Sequence, residues 1–153
     1  MKKRILVVAT ALLTLALLFS GCKTYKDTNG EDNYELQTLT EQDILQGGSV
    51  VKTGSSSSSV NNTYTVKVKT MNGVDTLETF SGEKVVLMLS VTINKGNARL
   101  VVCTKDEILH EFELNKGGQL FSFEVDTDSK AYLRIAGEDC GYSLSYQLQR
   151  SKK

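Results

Sequence analysis

The 153-residue chain has no Trp, no Pro and a single His. Average usage would put about 5% Pro in such a chain. Without it, turns fall to Gly, Asn, Asp and Ser, and prolyl isomerisation drops out of folding. One His, His110, with no Gly-x-Ser-x-Gly elbow argues against a Ser-His-Asp hydrolase. His110 keeps phase with Ile108, Phe112 and Leu114, so a structural role on a strand is expected. Charge of one sign is also scarce overall, since 18 basic and 18 acidic residues cancel. Residues 1–21, however, hold Lys2, Lys3 and Arg4 and no acid. Removing them leaves 15 basic against 18 acidic residues. That balance argues against a nucleic-acid partner, which would want a basic face.

The long hydrophobic run is confined to Ile5–Phe19, too short for a comfortable membrane span of about 20 residues. Basic residues before it and Ser20-Gly21-Cys22 after it are the parts of a secretory signal. The exit resembles the lipobox of bacterial lipoproteins. Ser20, Gly21 and Cys22 match that pattern, with Phe19 where Leu is usual. The resemblance implies that Cys22 receives a diacylglyceryl group and becomes the first residue of the mature chain. Two acyl chains anchor stably, at about 0.8 kcal/mol per buried CH2. It further implies a lipid-anchored protein on the extracytoplasmic face of a cell membrane, or of an outer membrane, which Lys23 favours. The alternatives are an ordinary cleaved signal or an uncleaved anchor.

The organisation expected is a signal peptide over 1–21, a polar flexible tether over 22–62 and a β-domain over 63–150. The tether is poor in apolar residues and ends in the run Ser55–Ser59. As coil, about 40 residues reach roughly 35 Å. Inside it, Thr40 to Gly47 carries a helix start, first-turn acids and a terminal Gly. A helix that short persists only if Ile44 and Leu45 dock on something.

From Thr63 the pattern has period two. Asn72-Gly73 predicts a two-residue hairpin that sets Val68 opposite Leu77 and Lys67 opposite Glu78. Further runs follow, separated by Asn94–Asn97, Lys105–Glu107, Asn115–Gly118 and a turn at Gly137–Gly141. About eight strands predict an all-β fold, an antiparallel β-sandwich or jelly-roll-like domain after a flexible tail.

Cys103 and Cys140 remain after export. They either form a disulfide, closing a loop worth roughly 4 kcal/mol, or stay as two free thiols. Tyr132 and Arg134 share the face opposite Ala131, Leu133 and Ile135, and suggest an exposed binding pair, with Glu124 as a partner for Arg134. Asp126, Asp128, Glu138 and Asp139 read as turn acids, because the calcium-loop pattern is incomplete. No cofactor and no metal are expected, and no catalytic residue is assigned. The resulting expectation is a non-catalytic binding or interaction module of the cell envelope, joined to the membrane by its lipid and facing an unknown protein or glycan ligand. A small carboxylate-based enzyme or accessory subunit, or a structural envelope lipoprotein, is the alternative.

Overall fold

Alternation decides the architecture. Val85, Leu87, Leu89, Val91 and Ile93 are all 5% exposed or less, while Val86, Met88, Ser90 and Thr92 between them are partly exposed. The computed structural model describes residues 36–114 and 117–152, all within the compact unit Asp32–Lys153. The Ser20-Gly21-Cys22 signal lies outside the described residues. The elements are α1 (Glu41–Gln46), β1 (Val50–Thr53), β2 (Ser56–Val60), β3 (Thr63–Cys103), β4 (Ile108–Phe112) and β5 (Gln119–Lys152). Every ladder is antiparallel, and the fold is all-β.

Two strands, β3 and β5, are far longer than an ordinary strand. They pair in two registers. Residues 63–81 of β3 face 130–147 of β5, and 83–91 face 119–127; residues 83–103 also face 132–152. Much of β5 therefore lies between two stretches of β3, which requires the sheet to curl back on itself. Its inner face gathers Val68, Phe80, Leu87, Leu100, Leu133 and Tyr142 from both stretches into one core.

The curl has a fold line. Met71 faces Cys140, Gly73 faces Gly137, Lys95 faces Gly141 and Asn97 faces Glu138, and the register shifts at each. The Asn72-Gly73, Asn94–Asn97 and Gly137–Gly141 segments thus lie side by side across adjacent strands. They do not end strands; they bend them. Two glycines are required there. Gly73 has φ 110°, and a Cβ on it would lie 2.0 Å from the Ser49 carbonyl oxygen. Gly96 has φ 69°, and its Cβ would lie 2.3 Å from the Asp139 oxygen.

The Asn72-Gly73 hairpin is accordingly corrected. Val68 faces Tyr142 rather than Leu77. The hairpin sits at Asn61-Asn62, where φ is 49° and 61° and Val60 faces Thr63. Positive φ at both central residues is the two-residue turn whose twist suits paired strands, and Asn tolerates it. β1 and β2 continue the hairpin arm along β3 on either side of Gly54.

The tether boundary is corrected too. Residues 41–60, expected as linker, form α1, β1 and β2. The helix packs on the outer face of the sheet, where Ile44 and Leu45 meet Val74, Val101, Cys103 and Tyr132. Ile44 is 0% exposed. Burying two such side chains contributes at most about 3–6 kcal/mol, enough to hold a helix that would not persist alone.

Candidate functional site

Thr40 opens α1 from extended backbone. Its hydroxyl accepts from the Asp43 amide, and the Asp43 carboxylate accepts from the Thr40 amide at 2.8 Å. The Thr40 hydroxyl also donates to that carboxylate at 2.6 Å, and this bond, with the one from the Thr40 amide, holds the Asp43 carboxyl below the usual range. The far end leaves carbonyls without partners. Arg134 supplies the donor: its Nη1 reaches the Ile44 and Leu45 carbonyls at 2.6 Å each. Nε donates to Thr76 Oγ1 at 3.1 Å, and the guanidinium lies 4.1 Å from the Tyr132 ring centroid. A cation at a helix C-terminus is favoured electrostatically.

The expected exposed pair is therefore corrected. Tyr132 is 7% and Arg134 4% exposed, because the helix assigned to the tether covers them. Glu124, expected to pair with Arg134, pairs with Lys84 at 2.8 Å. Glu138 holds the other end of this N-terminal strap. Its carboxylate accepts from the Gln37, Thr38 and Leu39 amides at 2.6–2.8 Å and from the Thr38 hydroxyl at 2.7 Å. Burial acts upward on Glu138, but those four donors outweigh it and hold the carboxyl down to about 2.

Cys103 and Cys140 are unpaired and fully buried, which corrects the disulfide alternative. Cys103 belongs to the helix-covered outer cluster and Cys140 to the inner core. They occupy opposite faces, and Cys140 lies across the fold line from the ladder position of Cys103, so their sulfurs do not meet. Burial pushes the Cys140 thiol up to about 12 and raises Cys103 as well. His110 stacks on Phe123 at 4.1 Å and meets the edge of Phe112 at 4.7 Å, a packing role. Among the described residues no group of three or more His, Cys, Asp or Glu is placed to hold a metal ion.

A cleft of about 420 Å³ opens where β2 runs beside β3. Ser57, Ser59, Tyr64, Thr65, Thr76 and Tyr146 line it. Tyr64 is 39% exposed and stacks on Tyr146 with ring centroids 5.1 Å apart and planes 16° apart. The Tyr146 hydroxyl donates to the Leu77 carbonyl at 3.2 Å. Burial, with Glu78 adding, pushes that phenol up to about 12, so it stays a neutral donor. Lys52 and Asp75 meet at 2.7 Å on the cleft wall. An open tyrosine face, a rim of hydroxyls and one charged fork form a surface for a polar ligand with an apolar side. The sequence reading missed it because Ser55–Ser59 was assigned to linker. The signal that finds it is Val60-Asn61-Asn62-Thr63, a hairpin turn directly after the serines. Comparison with known proteins finds no matching family model and no matching curated protein.

Proposed function

We propose that the chain is a lipid-anchored, non-catalytic binding module of the bacterial cell envelope, and that the serine and tyrosine cleft takes a glycan. The observation that carries the ligand is Tyr64, an exposed aromatic face backed by Tyr146 and bordered by Ser57, Ser59 and Thr76. A sugar ring offers the complement: C–H groups for the ring face and hydroxyls for the rim. The anchor rests on Ser20-Gly21-Cys22. Thirteen residues separate Cys22 from Leu36. Even fully extended they span no more than about 50 Å, so the domain works close to the membrane surface.

Two experiments test the two halves. Detergent phase partitioning should place the wild type in the detergent phase and Cys22→Ala in the aqueous phase; equal partitioning removes the anchor. Saturation-transfer NMR with soluble muropeptides should show transfer to sugar C–H protons, and Tyr64→Ala should abolish it. Undiminished transfer in that variant removes the cleft from the reading.

A further inference from the structure

A second cleft, of about 480 Å³, crosses the sheet from β2 to the second stretch of β3 beside the fold line. Lys67, Lys69 and Lys95 line it with Ser56, Asn94 and Ser143, and no carboxylate does. Among the described residues neither Lys67 nor Lys69 has an ion-pair partner. Lys95 meets Asp139 at 2.9 Å, but Asp139 is 74% exposed at the rim. The lysine stems are positioned by missing side chains. A Cβ on Gly54 would lie 2.7 Å from Lys69 Cδ, and one on Gly141 3.0 Å from Lys95 Cγ. Both stems pass close over a glycine, where any other side chain would collide with them. Past the signal the chain carries 15 basic against 18 acidic residues, so three lysines in one cleft form a positive island on a negative body.

Its place in the fold says what it meets. The N-terminal segment joins the domain at Gln37–Leu39, held by Glu138. The next residue, Asp139, holds Lys95. Neighbouring Cα atoms are about 3.8 Å apart, so the lysine cleft adjoins the point where the chain from Cys22 arrives. On the anchored reading, the chain from Cys22 enters the domain beside that cleft. We propose that this cleft binds the phosphate of an anionic phospholipid headgroup and fixes the orientation of the domain on the bilayer. The assignment of the source to lipid rests on the anchored reading above; the cationic cleft stands without it.

The test uses the chain from residue 22 carrying Cys22→Ser, which has no lipid and holds the whole compact unit. Co-sedimentation with phosphatidylcholine vesicles is compared with vesicles that also contain phosphatidylglycerol. Binding should appear only with the anionic lipid and weaken as salt rises. Each lysine near an anionic surface contributes about fivefold in affinity, so Lys67→Gln/Lys69→Gln should lose about 25-fold. Lys105→Gln/Lys130→Gln removes the same charge from the other end of the 97–103 arm and should leave binding unchanged. Equal losses in the two pairs, or equal binding to both vesicles, overturn the proposal. So does full competition by inorganic phosphate at the concentration of vesicle headgroups, which would make the ligand a free anion. Because no lipid is attached, a negative result here leaves the partitioning of the Cys22 chain untouched.

Discussion

Replacing Glu138 by Gln should release the strap without unfolding the sheet. The Glu138 carboxylate lies well below its ordinary 4.5, at about 2. A shift of that size corresponds to at most about 3.4 kcal/mol between its two protonation states. The group is partly exposed, and solvent screening reduces this by roughly half, to about 1.5–2 kcal/mol. Gln keeps one acceptor oxygen but loses the charge that three amides and a hydroxyl share. The reporter is hydrogen exchange at the Gln37, Thr38 and Leu39 amides. In Glu138→Gln they should exchange about 10- to 30-fold faster than in the wild type at neutral pH, with core amides such as Leu87 unaffected.

The pH dependence has a definite sign. A depressed carboxyl contributes its stability fully above the unfolded value of 4.5 and loses it as pH falls towards about 2. Wild-type protection, corrected for intrinsic exchange, should be level above pH 5 and converge on that of Glu138→Gln near pH 2. If the three amides exchange equally in both proteins at neutral pH, the clamp is not there. Protection that stays level down to pH 2 would also refute the reasoning.

Arg134→Ala strands the Leu45 carbonyl, leaves the Ile44 carbonyl with the Gly47 amide alone and removes the cation from the Tyr132 ring, at a cost of about 2–4 kcal/mol. A melting temperature lower by about 6–15 °C should follow; an unchanged value removes Arg134 as the helix cap. Gly73→Ala drives a Cβ into the Ser49 carbonyl and should cost more than about 3 kcal/mol in urea titration. Gly82→Ala, at φ 61° with open space around it, should cost only about 1–2 kcal/mol; similar costs at both sites would refute the close approach. Native protein should resist alkylation at Cys103 and Cys140, and denatured, non-reduced protein should take up an alkyl group at each. Denatured protein that takes up none contains a bridge and overturns their placement.

The β class and the inward faces were legible in the residues, because burial on a pleated sheet repeats every two positions. Val85 to Ile93 and Leu133 to Ile135 needed nothing more. Register and strand ends were not legible. Asn72-Gly73 carries the composition of a hairpin, yet positive φ serves equally to bend a strand. What separates the two uses is a neighbour distant in sequence, such as Gly137 beside Gly73. The same holds at the site. Tyr132 and Arg134 alternate outward from the core as read, but their exposure depended on a helix about 90 residues earlier. Ser57 to Ser59 showed no apolar alternation because an exposed edge strand buries neither face.

The three misread turns share a cause and a consequence. Bending three adjacent strands on one line breaks their ladders there, and the freed backbone groups need partners. Some come from nearby polar side chains: Asn72 Oδ1 accepts from the Asp139 amide at 2.9 Å. A bulge also turns consecutive side chains to unusual directions. Glu138 is thereby aimed at the strap and Asp139 at Lys95, although regular alternation alone would not equip one short segment for both tasks. The fold line therefore concentrates polar side chains where the N-terminal segment joins the domain. The lysine cleft and the strap clamp sit on its two sides for that reason.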